Sequence, residues 1–92
     1  MKQISVVIVN YNGVHYLQSC LDSIYASNAE NFVVDVIVVD NCSGDHSVEF
    51  IKKSYQQVRV MTNDLNNYVR AVNLGISHTM ADVIVLLNND TI

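Results

Sequence analysis

Residues 33–45 read "VVDVIVVDNCSGD", a β-branched apolar run that breaks abruptly into turn residues at Asp40. The run has no solvent-facing side, so it reads as a strand covered on both faces, the habit of parallel sheets flanked by helices. "ISVVIVN" (4–10) and "DVIVLLN" (82–88) read the same way. "VRVMT" (58–62) is shorter and more alternating, as expected near a sheet edge. Helical patterns separate these runs. In "VHYLQSCLDSIYA", Leu17, Cys20, Leu21, Ile24 and Tyr25 recur at i, i+3, i+4, i+7 and i+8. In "HSVEFIKKSY", Val48, Phe50, Ile51 and Tyr55 make a face, with Ser43 or Asp45 as the expected cap. In "NYVRAVNLGISHTM", Val69, Val72, Ile76 and Met80 are expected inward. Gly75 interrupts that helix at a cost of about 1 kcal/mol against alanine, which suits close packing on a sheet. The order β-α-β-α-β-α-β predicts an α/β fold, a parallel sheet with flanking helices and right-handed crossovers. Ligands of such sheets bind beyond the carboxyl ends of the strands.

Composition narrows the function classes. A chain of 92 residues, 50% hydrophobic and 15% charged, makes one globular unit. Its net charge of −4 and scattered basic residues argue against nucleic-acid binding and against an anionic membrane surface. Cys20 and Cys42 form neither a CxxC nor a zinc spacing, so both read as reduced thiols. No apolar run is long enough to span a bilayer, and the start is too short in apolar residues for a signal peptide. The expected location is the cytoplasm, with membrane association left to a longer protein.

Polar clusters end the strands: "NYNG" the first, "DNCSGD" the second, "TND" the third and "NND" the fourth. Taken singly each is an ordinary turn. Taken together they place Asp40 and Asp90 on one rim of a parallel sheet. Asp40 is either a cap for its own turn or an acceptor for a ligand hydroxyl or ring N–H. Asp90 with Asn88 suggests an oxygen site for Mg²⁺ or Mn²⁺, completed by ligand phosphate oxygens. Tyr11 either packs at the rim or stacks on a base. Arg70 is either a solvated helix-face arginine or a phosphate contact. His15, His46 and His78 fall in three different helical segments without paired ligand spacing and read as surface residues.

"ISVVIVNYNGVHYLQSCLDSI", "VIVVDNCSGDHSVEFI", "NNYVRAVNLGI" and "VIVLLNNDT" stand in the order seen in family 2 glycosyltransferases, which the chain resembles over almost its whole length. The resemblance implies a truncated GT-A (Rossmann-like) fold that binds a nucleotide-diphospho-sugar. It implies that Val9, Asn10 and Tyr11 contact base and ribose and that Asp40 binds the base. It implies that Asn88, Asn89 and Asp90 occupy the place of the DxD-like motif, with Asp90 on a divalent metal, and that the 66–75 helix start lies near the nucleotide. UDP- or dTDP-sugars are the implied donors, with a sugar or glycan acceptor. The sequence departs from the pattern in two places. Asn88 replaces an acidic residue, and Asn67-Tyr68 stand for Gly-Phe, where glycine would permit a positive φ.

Members of this family continue well past the DxD-like motif, and their catalytic base lies in that later part. The resemblance therefore implies a base beyond Ile92, the last residue of this sequence, and no catalytic residue within it. Residues 1–92 are expected to be the N-terminal, nucleotide-binding half of a glycosyltransferase domain, a fragment with no catalytic base of its own. The alternative is a non-catalytic α/β module that binds nucleotide or self-associates through its truncated sheet edge. A dinucleotide site is disfavoured, because no GxGxxG follows the first strand. A phospho-receiver would need an acidic cluster where "NYNG" stands.

Overall fold

A computed structural model describes residues 2–26, 32–41, 43–63, 67–81 and 83–88. The elements are β1 (Lys2–Asn10), α1 (Val14–Ala26), β2 (Phe32–Asn41), α2 (Ser47–Ser54), β3 (Arg59–Asn63), α3 (Tyr68–Ser77) and β4 (Val83–Asn88). The strands form one parallel sheet in the order β3-β2-β1-β4. β1 to β2 to β3 steps in one direction, and β3 to β4 steps back across both. With right-handed crossovers, α1 and α2 then cover one face and α3 the other.

The side chains obey that geometry through the period of two. Val6 and Ile8 of β1, with Val36 and Val38 of β2, pack against Leu17, Cys20, Leu21 and Ile51 of α1 and α2. Their alternates Val7, Val9, Ile37 and Val39 pack against Ala71 of α3. A strand with a core on each side must be apolar at every position, which is why the central runs carry so little polar punctuation. Ser5 is the buried exception, and its hydroxyl is satisfied by Thr79 after α3.

Of the four residues expected inward from the α3 pattern, Val72 packs against the sheet, and the other three do not. Val69 is 67% exposed and Met80 fully exposed, and Ile76 is also exposed. The inward side carries Ala71, Val72, Leu74 and Gly75. The reason is distance: a Cβ placed on Gly75 would stand 2.5 Å from Val7 Cγ1 and 3.1 Å from Val39 Cγ2. A helix this close to the sheet can offer only small residues at its contact line. Smaller corrections follow elsewhere. Tyr25 lies on the exposed side of α1. β3 begins and ends one residue later than expected. β4 is an edge strand, and Val83, Ile84, Val85 and Leu86 are all exposed rather than covered. Among the described residues no helix is long and apolar enough to cross a membrane.

Gly75→Ala tests the α3 contact. Alanine gains about 1 kcal/mol of helix propensity and loses roughly 1–3 kcal/mol to overpacking. The expected sum is a lower midpoint in urea denaturation. A more stable variant would place α3 further from the sheet than described.

Candidate functional site

β1 and β2 end side by side, with Asn10 opposite Asp40 in the register. Both side chains are buried there, Asp40 to 3% exposure. Neither can stay unpaired in that environment. The Asn10 amide Nδ2 donates to Asp40 Oδ1 at 2.9 Å and to Ser43 Oγ at 3.3 Å. Asp40 Oδ2 accepts the Ser43 N–H at 3.0 Å. Asp40 therefore caps its own turn. Among the described residues each of its oxygens accepts one bond, which leaves acceptor capacity on both.

The following loops are tied to each other. Asn12 adopts a left-handed backbone, φ 49°, which asparagine tolerates better than most side chains. In that conformation its N–H donates to Ser43 Oγ at 2.9 Å, and its Oδ1 accepts the Gly44 N–H at 2.8 Å. Asp45 completes the join. Its Oδ2 accepts the N–H of Val14 at the start of α1, at 3.0 Å. Its Oδ1 accepts the N–H of Ser47 at the start of α2, at 3.2 Å, and the Ser47 hydroxyl. The cap residue of α2 by position is His46, φ 65°, which makes no side-chain cap bond, so Asp45 does that work from one residue earlier. Burial pushes the Asp45 carboxyl up, but the bonds from the Ser47 side chain and from the backbone of Val14 and Ser47 outweigh it and hold the group below its ordinary range.

The expected site residues divide by place. The Val9 side chain is buried among Val7, Ile37, Val39 and Ala71, so only its backbone faces the rim. Tyr11 stands at the rim, 49% exposed. Arg70 lines an open groove of about 400 Å³ with Thr62, Asn63, Asn73, Leu74 and Ser77, on the β3 side. β4 runs level with β1, with Asn88 opposite Val9, so its carboxyl end reaches the same rim as Asn10. Asn89, Asp90 and Ile92 lie outside the described residues, and so does the catalytic base expected beyond Ile92. Among the described residues no cluster of three His, Cys, Asp or Glu side chains stands together.

A second polar layer escaped the sequence reading. Asn41 Oδ1 accepts from Asn63 Nδ2 and from the Asn67 N–H, both at 3.0 Å. Asn63 Nδ2 also reaches the Asn67 carbonyl at 3.4 Å. Asn67 in turn caps α3, its Oδ1 accepting the Arg70 N–H at 3.0 Å. Asn67 has φ −133°, so no left-handed backbone is needed where the resemblance expected glycine. The signal was present as asparagines closing β2 and β3, but asparagine at a strand end is also the commonest turn residue.

The whole arrangement, from the "VNYNG" and "VVDNCSGD" loops to the end of β4, matches one sequence family, Glycosyl transferase family 2, over residues 5–92. The chain belongs to that family. Among its relatives, a dolichyl N-acetyl-alpha-D-glucosaminyl phosphate 3-beta-D-2,3-diacetamido-2,3-dideoxy-beta-D-glucuronosyltransferase of Methanococcus voltae is 23% identical over 94% of this chain and 28% of its own length. A solved mannosyltransferase of Pyrobaculum calidifontis, in complex with GDP-Man and Mn²⁺, superposes with a TM-score of 0.81 at 19% identity, over 97% of this chain and 28% of that one. Staphylococcus aureus TarS 1-349 in complex with UDP gives a TM-score of 0.81 at 23% identity, over 98% and 28%. The fold is a portion of the GT-A fold, and the chain spans less than a third of the length of these proteins.

The depressed Asp45 carboxyl fixes the sign of a pH effect. Its contribution is present above the unfolded value of about 3.9 and is lost as pH falls through the lower folded value. Asp45→Asn keeps one acceptor where the parent has two. The stability gap between parent and variant is expected to be widest near neutrality and to narrow below about pH 4. Urea midpoints measured from pH 7 to pH 3 check this. A gap that widens on acidification would contradict it.

Proposed function

We propose that the chain is the nucleotide- and metal-binding portion of a glycosyltransferase that moves a sugar from a nucleotide-diphospho-sugar to an acceptor hydroxyl. The observation that carries this reading is Asp40: a buried carboxylate at the carboxyl end of a central strand, held on both oxygens and still able to accept, close to the exposed Tyr11. Such a group orients a ligand as well as holding it. The Tyr11 ring offers a stacking surface for the base. The backbone of Val9 and Asn10 offers contacts to base and ribose. The acceptor capacity left on Asp40 can take the ring N–H of uracil or thymine, and UDP- or dTDP-sugars are the proposed donors. Complexes of the two solved neighbours with GDP-Man and with UDP support the class of ligand. Arg70, in the groove beside β3, is the proposed contact for a nucleotide phosphate.

Asp90 and Asn88 are the proposed ligands of a divalent cation, Mg²⁺ or Mn²⁺, with Asn89 beside them on the nucleotide. Two oxygens make a weak site alone, and diphosphate oxygens would complete it. A cation bound there would neutralise charge gathering on the leaving diphosphate. The Mn²⁺ in the mannosyltransferase neighbour supports a metal of this kind. No residue of the chain is proposed as the base that deprotonates the acceptor. That base, beyond Ile92, and the sugar or glycan acceptor site are assigned to a longer protein.

A titration of UDP, dTDP and GDP with and without Mn²⁺ tests the assignment. UDP is expected to bind more tightly with Mn²⁺. Asp40→Ala should weaken binding about tenfold in both conditions, the effect of losing a charge-assisted bond. Asp90→Ala should remove only the Mn²⁺ dependence. Variants that bind like the parent would overturn the site. A second reading rests on β4, an uncharged edge strand with exposed apolar side chains and no neighbour on its outer side among the described residues. Two copies pairing there would appear as a dimer in light scattering, and a monomer at high concentration would exclude this.

A further inference from the structure

We propose that Asn12, Ser43 and Asp45 are positioning residues that lock the β1–α1 and β2–α2 loops into one rigid shell, which presents Tyr11 and Asp40 to a nucleotide base already in place. The inference rests on the nucleotide-binding reading above for its purpose, though not for its geometry. The bonds cross between segments about thirty residues apart: Asn12 N–H to Ser43 Oγ, Gly44 N–H to Asn12 Oδ1, and Val14 N–H to Asp45 Oδ2. They run in both directions, so neither loop simply rests on the other. Asn12 holds a left-handed backbone that costs energy for a residue with a side chain, and this conformation accompanies the two bonds it makes with Ser43 and Gly44.

The Asp45 carboxylate serves two helices at once. One oxygen takes the first N–H of α1 and the other the first N–H of α2. Only a side chain with two acceptor oxygens can do this, because an asparagine would turn an NH₂ towards one of the N–H donors. α1 and α2 are thereby referenced to the same atom pair. The shell does not depend on glycine. A Cβ on Gly44 would meet nothing within 4 Å, and no glycine among the described residues has a positive φ. Hydrogen bonds, rather than a tight turn, hold the loops together.

The functional consequence is preorganisation. Tyr11 lies between Asn10, bonded to Asp40, and Asn12, bonded to Ser43 and Gly44. Its backbone is fixed on both sides before any ligand arrives. Asp40 is fixed through Asn10 and the Ser43 N–H. A base would then bind without the cost of ordering two loops.

Amide hydrogen exchange and UDP titration of the whole 92-residue chain test this together. The variants are Ser43→Ala and Asp45→Asn, with Ser43→Thr to restore the hydroxyl and Lys53→Ala, an exposed α2 residue outside both loops, as the control. Ser43→Ala should raise exchange at the Asn12 amide, on the other loop, by about tenfold, while Val36–Val39 amides keep parental protection. Asp45→Asn should do the same at Val14. UDP affinity should fall about fivefold in Ser43→Ala, return with Ser43→Thr and stay parental in Lys53→Ala. Parental exchange at Asn12 in Ser43→Ala and at Val14 in Asp45→Asn would overturn the lock. Raised exchange with unchanged UDP affinity would overturn the positioning role. Should Asp45→Asn fail to fold, Ser43→Ala decides alone, since it removes a single hydroxyl. Failure of the nucleotide reading looks different: the parent chain does not bind UDP, or Asp40→Ala binds it as the parent does, while the exchange results stand.

Discussion

A carboxylate is buried at the seam of the two central strands, and everything at the rim is arranged around satisfying it. Asp40 follows an apolar run with no basic residue nearby in sequence, and among the described residues its carboxylate is met by hydrogen bonds. Asn10 supplies one from β1 and the Ser43 backbone supplies the other from the turn. Breaking either leaves a buried charge short of a donor, which is far costlier than the bond's net worth. The register between β1 and β2 puts Asn10 opposite Asp40, and a slip of one residue would put the two side chains on opposite faces of the sheet. The pairing therefore joins strand register, loop geometry and a potential ligand acceptor in one contact.

From that seam the organisation spreads outward in two polar layers. On the α1 and α2 side, Ser43, Asn12, Gly44 and Asp45 bind the two loops to each other and to both helix starts. Towards β3, Asn41, Asn63 and Asn67 bind strand ends to the start of α3. Each layer satisfies backbone N–H groups that helices leave open at their first turn. The same residues that make a parallel sheet end cleanly thus make its rim stiff, and a stiff rim is what a nucleotide site needs.

Much of this was legible in the residues. The β-branched runs named the strands, their alternation with helical spacing named the parallel class, and Gly75 hinted at a close helix. The inward face of α3 was not legible, because spacing arguments weigh apolar size. The contact at Gly75 selects for smallness, so Ala71 is buried and Val69 is not. The exposed β4 was not legible either. Its run matches that of β1, and only the return crossover from β3 puts it at the outside of the sheet. At the rim, "NYNG" and "DNCSGD" pointed to Asp40 and to the cap of its own turn, but its other partner, Asn10, lies in a different segment, and spacing along one chain does not reveal a bond between loops.

The central claim is that the rim around Asp40 and Tyr11 is a nucleotide site. A titration of the isotopically labelled chain with UDP, followed amide by amide in heteronuclear NMR spectra, tests it most directly. The account predicts saturable shifts concentrated at Val9 to Asn12 and at Asp40 to Gly44, with the amino ends of β1 and β2 unchanged. Shifts confined to those strand starts, or none at all at saturating UDP, would contradict it.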